Sequence, residues 1–513
     1  HILSSDLPSG RNISPTVCVT LTIEHLSTIV IFFLKSVIYV TKKARFYRII
    51  FYSIKFCTLC QAEGRQPMKF TAVCPPEWLS RSAVYHINPR SFSREGSIRS
   101  ITEALPSLSE LGFDVIYLCP IFEEDDSTDR AYWSTRQKAS GTDNPKNPYR
   151  INNYYKIDPE YGTMDDLRDL VTAAHDRGMK VLLDLVYLHI GPNAPILRRH
   201  PDFAKQDAEG NTICTMWNFP CIDFTSDGMR EYLYCNMLYY IGEIDVDGFR
   251  CDVGDGVPID FWVEARRRMR LVKPDAVLIN EGCNWSYLLR GFDSAYCSAW
   301  HDVLYGILTG EKTVADFTDL FGRLKAKVPA GAKLLFDMDN HDTVTDWPER
   351  IEILAGHDGM EMIQVMNYLL DCIPMVYAGN ELADTAKLSM FANRFHPGKY
   401  QVTDRHHTAE PEARARRMEI MTALNRLRRE SDVLCYGSTE FPAHTDEEGA
   451  VFSFARAHGD RRMTFVGNVT RDAVTTTLDR MPRGKVLFSN HAEPRADGTI
   501  ALGPHGYVVF SEE

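Results

Sequence analysis

At 513 residues with 44% of positions hydrophobic, the chain is long enough for one large closed core plus a smaller domain, which excludes disorder as the default. A formal net charge of −12 at pH 7 argues against a phosphate-backbone partner, since nucleic-acid binding needs clustered Lys and Arg, and a neutral substrate fits better. The 13 cysteines are spread along the chain, several of them (Cys119, Cys251, Cys372) inside apolar strand-like runs, so they read mostly as small buried thiols.

Residues 1–67 differ in composition from the rest of the chain. They carry a balance of +5, leaving −17 on the remainder, and the composition shifts at Met68. The apolar run from Leu26 to Val40 is broken by Lys35 and falls short of the ~20 residues a membrane span needs. Basic residues come after that run and no small-residue cleavage site is evident, a poor fit to a signal peptide. With His1 in first position, two expectations stand: an over-extended reading frame or disordered extension with Met68 as the start, giving a cytoplasmic protein without a membrane partner, or a single membrane anchor. Cys57 and Cys60 form a lone CxxC, a weak signal for zinc or redox chemistry without a second pair.

From residue 83 onward short apolar runs alternate with amphipathic stretches, the pattern of a parallel sheet wrapped by helices. Strands are predicted at 83–88, 114–119, 180–186, 245–251, 276–280, 293–297, 333–337 and 373–377. Eight is the count of a (β/α)₈ TIM barrel. Between them Leu167, Leu170, Val171 and Ala174 share one helical face, as do Met362, Val365, Met366 and Leu369. Thr163 and Asp166 form a capping-box variant, and Gly178 supplies a stop. Connections at about 120–162 and 188–245 are too long for simple barrel loops, and the second is expected to form a small insertion after the third strand. After a helical stretch at 412–430 come short alternating strands at 450–456, 462–467, 473–478 and 506–510. The expected layout is therefore an α/β barrel over 68–430 and a C-terminal antiparallel β-domain over 431–513.

Barrel enzymes draw reactive groups from the C-terminal ends of different strands. Asp252 ends the fourth predicted strand, Glu281 the fifth, and Asp342 comes after the seventh, so the three acids share one rim. Breaking a glycosidic bond needs a proton on the leaving oxygen and negative charge opposite an oxocarbenium-like centre, which two carboxylates supply. Arg250, two residues before Asp252 and on the same strand face, would favour an ionised Asp252, while an apolar strand before Glu281 would favour a protonated one.

Four short segments in order, 184–189 (DLVYLH), 248–252 (GFRCD), 279–281 (INE) and 340–342 (NHD), resemble the signature segments of the α-amylase family of glycoside hydrolases. The stretches 149–163 and 374–381 are similar to the family as well. The resemblance implies a retaining α-glycosidase acting on maltodextrin- or starch-like α-glucans, oligosaccharide or polysaccharide. In it Asp252 is the nucleophile, Glu281 the acid/base, and Asp342 the group that grips sugar hydroxyls. It further implies that His189 and His341 donate hydrogen bonds to the same sugar, that Tyr149 forms its stacking floor, and that Asp184 orients Arg250. Trp285 would offer a stacking surface on the aglycone side.

Calcium-binding relatives usually carry Asn before the first-segment His and a His four residues after the nucleophile. Here those positions are Leu188 and Gly256, so the usual calcium site is altered; no required cofactor is expected, with calcium left open. Two other readings remain open at this point: a transglycosylase or isomerase using the same covalent intermediate, and a non-catalytic, membrane-anchored transporter partner. The latter predicts loss of the catalytic acids, and all three are present.

Overall fold

The computed structural model describes residues 70–398, 410–442, 444–445 and 449–512, without the side chains of 444 and 445. The expectations for residues 1–67, the apolar run at 26–40 and the CxxC lie outside the described residues.

Among the described residues ten strands precede the C-terminal sheet: β1 (Val84–Ile87), β2 (Val115–Leu118), β3 (Phe122–Glu124), β4 (Ile151–Ile157), β5 (Lys180–Leu185), β6 (Gly248–Cys251), β7 (Val277–Asn280), β8 (Ser294–Tyr296), β9 (Lys333–Asp337) and β10 (Cys372–Tyr377). Eight of them form a closed parallel barrel in the order β1-β10-β9-β8-β7-β6-β5-β2, and β3 pairs with β4 as a small antiparallel insertion. These are the eight runs expected from the sequence. They were recognisable because parallel strands covered on both faces read as continuous apolar stretches.

Alternation along each strand divides inside from outside. Val84, Val115, Tyr117, Leu182, Val277, Ile279, Tyr296, Leu335, Ile373 and Met375 pack together in the barrel interior. Their partners one residue along, such as Tyr85, Ile116, Leu183 and Leu278, join the larger core beneath the helices. Two residues further along each inward series, at the carboxyl ends, stand His86, Cys119, Asp184, Glu281 and Tyr377. On β6 Arg250 stands level with Asp184, and Asp252 follows just past the end of the strand, beside Glu281.

The helix Met164–His175 carries the expected capping box, with Thr163 and Asp166 bonding each other's backbone N–H, and buries Leu167, Leu170, Val171 and Ala174. Gly178 comes next with φ of +73°. The connection after β5 contains isolated bridges such as His189 with Cys221 and Cys214 with Pro220. Its last third is a helix, Asp227–Gly242, capped by Ser226. The irregular part of that connection thus ends near residue 226 and the helix leads back to β6.

The helix Ile351–Leu369 departs from the one-face expectation. Every residue from Gly359 to Leu369 is buried, because the C-terminal sheet covers the side turned away from the barrel. That sheet comprises β11 (Ser438–Glu440), β12 (His444–Thr445), β13 (Val451–His458), β14 (Arg461–Asn468), β15 (Val474–Leu478), β16 (Lys485–Pro494) and β17 (Thr499–Glu512), with β16 added on β17. The Tyr507 hydroxyl on β17 donates to Glu361 at 2.7 Å, and the Phe317 ring meets Phe452 at 4.8 Å.

Cysteines divide more evenly than expected. Cys119, Cys251, Cys297, Cys372 and Cys435 are buried free thiols, whereas Cys74, Cys214, Cys235 and Cys283 are exposed. No helix among the described residues is long and apolar enough to cross a membrane.

Arg90, just past β1, ties the barrel to the insertion and the rim. Its Nε donates to Glu160 at 2.8 Å, Nη2 to Glu124 at 2.8 Å, and Nη1 to the Met390 carbonyl at 2.7 Å, all buried. Arg90→Met would leave two buried carboxylates without their cation, so a loss of about 3–5 kcal/mol is expected, measurable by urea unfolding at unchanged m-value.

Candidate active site

Arg250 organises the floor. Its Nη1 donates to both oxygens of Asp184 at 2.8 and 2.9 Å and to Asp252 Oδ1 at 3.0 Å, while Nη2 makes an ion pair with Glu281 at 2.5 Å. Asp252 and Glu281, contributed by neighbouring strands, therefore meet on adjacent nitrogens of one guanidinium. Val253, in the left-handed region at φ of +42°, is strained for a β-branched residue. That turn brings its N–H to Glu281 Oε2 at 2.9 Å, which fixes the second carboxyl.

Three carboxylates around one guanidinium leave a surplus of negative charge. Burial and the charge of Glu281 outweigh Arg250 and push the Asp252 carboxyl well above the usual range. This reverses the expectation of a low value at Asp252. Proximity of Arg250 alone suggested it, but Arg250 is shared with Asp184 and Glu281.

Asp342 sits at the mouth on an ion pair with Arg136 at 2.8 Å, and Arg136 also holds Asp346 at 2.8 Å. Desolvation opposes the charged form of Asp342, yet His341, Arg136 and Arg250 together hold it well below the ordinary carboxylate range. The Tyr149 hydroxyl lies 2.7 Å from His341 Nε2 and 3.1 Å from Asp184, with the Tyr149 and His341 rings stacked at 5.4 Å.

His189 is placed differently from its expected role as a donor to sugar. Burial lowers it to about 4, so it is neutral at pH 7. Its Nε2 lies 2.8 Å from the Tyr149 carbonyl, which can only accept, so the single N–H is spent there and Nδ1 keeps a lone pair. Trp217 and Phe219 pack on its ring at 5.7 and 4.9 Å.

A cavity of about 90 Å³ opens here, lined by Tyr149, His189, Asp252, Glu281, His341 and Asp342 of the expected residues. Asp184 lies behind Arg250, 1% exposed. Trp285 begins a short helical turn, Trp285–Leu289, half-buried against the core, and does not line the cavity. The reading of the sequence missed Arg136, Asn147, Trp217, Phe219, Met390 and Phe391, which do line it. Trp217 and Phe219, aromatic residues in a long connection, were the only ones carrying a visible signal.

At the altered calcium position, Leu188 Cδ1 lies 2.9 Å from the point a Cβ on Gly256 would take. The Leu188 side chain thus packs on Gly256 and brings hydrocarbon, not an oxygen ligand, to that position.

Arg136→Ala should free Asp342 to turn and raise its pKa. A 10- to 100-fold loss in kcat/KM is expected, about 1.4–2.7 kcal/mol, with folding unchanged in circular dichroism.

A family model described as "Alpha amylase, catalytic domain" matches residues 67–209. The cyclomaltodextrinase of Thermoanaerobacter pseudethanolicus is 24% identical over 82% of this chain and 74% of its own length. The maltogenic alpha-amylase of Bacillus acidopullulyticus is 24% identical over 79% and 72%. Among solved structures, a noncanonic maltogenic alpha-amylase from Thermotoga neapolitana superposes with a TM-score of 0.70 at 22% identity, over 84% of this chain and 99% of that one. An alpha-amylase from Lactobacillus plantarum gives 0.69 at 23%, over 85% and 100%.

Proposed function

Since this chain belongs to the α-amylase family of glycoside hydrolases, we propose that it hydrolyses α-glucosidic bonds in short α-glucans of the maltodextrin and cyclodextrin type, with retention of configuration. The observation that carries this reading is the seating of Asp252 and Glu281 on adjacent nitrogens of Arg250. Such closeness favours direct attack by a carboxylate over the wider gap of about 6.5–9.5 Å that admits a water between two acids.

Asp252 attacks the anomeric carbon as the bond to the leaving oxygen breaks, and Glu281 gives that oxygen its proton. Glu281 then takes a proton from water, which attacks the same carbon and releases Asp252. The raised pKa of Asp252 supports a pair that holds one proton between its members; sugar binding places that proton on Glu281. Asp342, kept charged by Arg136 and His341, accepts from hydroxyls of the sugar ring, and Tyr149 offers the ring a flat surface. The similar cyclomaltodextrinase and maltogenic amylase support the substrate class by their own names. A cytoplasmic setting is supported by the free thiols and by similarity, 28% over 245 residues, to an intracellular maltogenic amylase of Bacillus subtilis.

The test is a panel of starch, maltotriose, β-cyclodextrin and pullulan with the Asp252→Asn protein as blank, the first product being followed by NMR. Release of the α-anomer from at least one substrate is expected. A β-anomer as first product, or no hydrolysis of any, would overturn the proposal; dominant products longer than the substrate would favour transfer to sugar acceptors instead.

A further inference from the structure

Beneath the cavity, His86 at the end of β1, Cys119 just past β2 and His341 after β9 converge. One ligand atom from each lies within 4.8 Å of the other two. His86 Nε2 is 3.1 Å from Cys119 Sγ, and the His86 and His341 rings meet edge-on at 5.1 Å. All three are buried, at 0, 2 and 2% exposure. The Nδ1 atoms of both histidines are buried without a hydrogen-bond partner, an unusual cost for two rings so close together. The proposed reaction uses neither His86 nor Cys119.

We propose that His86, Cys119 and His341 form a site for one thiophilic divalent cation, Zn²⁺ being the reference ion, and that its binding inhibits the enzyme. Two imidazoles and one thiolate select soft and borderline metals over calcium or magnesium. Tetrahedral zinc with Zn–N of about 2.0–2.1 Å and Zn–S of about 2.3 Å sets its ligands about 3.3–3.6 Å apart, so atoms now within 4.8 Å of one another must close by up to about 1.5 Å through side-chain rotation. Each imidazole binds through a lone pair, any proton displaced from it and the proton of the Cys119 thiol pass to solvent, and the fourth position is left to water on the side of Tyr149. One positive charge is thereby added to a floor where Asp184, Asp252 and Glu281 share a single arginine, which favours the cation further.

Capture of His341 fixes its ring on the cation and takes it from the sugar; ligation through Nε2 would also replace its contact with the Tyr149 hydroxyl. The inhibitory half of this inference rests on the proposed function; the binding half does not.

Enzyme stripped with EDTA is titrated with Co²⁺ under an absorption spectrometer, and with Zn²⁺ while hydrolysis is followed. One equivalent per chain with a thiolate-to-cobalt band in the near ultraviolet is expected, and kcat/KM falls at least tenfold at saturating Zn²⁺ and recovers on adding EDTA. Cys119→Ser and His86→Gln should keep the metal-free activity and lose the tight equivalent and the inhibition, whereas Cys283→Ser, at an exposed thiol, should behave as the parent. A cobalt complex without the thiolate band, or a band that survives Cys119→Ser, overturns the site. The band without any inhibition overturns only the role given to His341.

Discussion

Asp252→Asn lowers kcat on maltotriose by more than 10³-fold, about 4 kcal/mol of transition-state stabilisation, without lowering the melting temperature. The loss is large because an amide cannot form the glycosyl ester on which the two-step route depends. Stability is preserved because Arg250 keeps both bonds to Asp184 and its pair with Glu281, while one charge disappears from a crowded floor. Residual activity above a thousandth of the parent's would contradict the assignment. Asp252→Ala gives a complementary check: with azide and α-maltosyl fluoride, the small anion should enter the space of the missing carboxylate and yield the β-configured glycosyl azide.

The second large effect falls on Glu281→Gln and depends on the leaving group. On glucans, whose departing oxygen needs a proton, kcat should drop about 10²–10⁴-fold. On α-maltosyl fluoride the first step should be nearly unaffected, since fluoride leaves without protonation, and the glycosyl-enzyme should accumulate because no base activates water. Rapid-quench mass spectrometry detects that adduct. The alkaline limb of the pH profile, which reports loss of the acid's proton, should vanish with the residue. An equal loss on both substrates would assign Glu281 to binding rather than proton transfer.

Reading the sequence located the eight barrel strands and the three acids because both obey local rules. Parallel strands are continuous apolar runs, and reactive groups lie just past their carboxyl ends. The helix Asp227–Gly242 was equally legible in principle, since Met229, Leu233, Met237, Tyr240 and Ile241 recur at helical spacing, but its tyrosines weakened the apolar signal. Arg136 and Met390 gave no such opening. Each reaches the cavity from an irregular connection, and the ion pair of Arg136 with Asp342 joins residues about two hundred positions apart. The pKa of Asp252 was misjudged for a related reason: Arg250 and its partner Asp184 were both read from the sequence, whereas the share that Glu281 takes of that arginine becomes visible only when the strands close. Trp285 shows the converse, an aromatic residue next to a catalytic acid in sequence whose short helical turn packs it away from the cavity.

The double-sided helix Ile351–Leu369 imposes an order on assembly. It comes after the seventh barrel strand, yet β14 and β17, which cover its outer side, are translated only after the barrel and the helix Pro411–Glu430. A nascent barrel complete through β10 would therefore emerge from the ribosome with apolar side chains of this helix, Met362 among them, still wet, an adhesive surface for chaperones or for other nascent copies until β14 and β17 arrive to cover it.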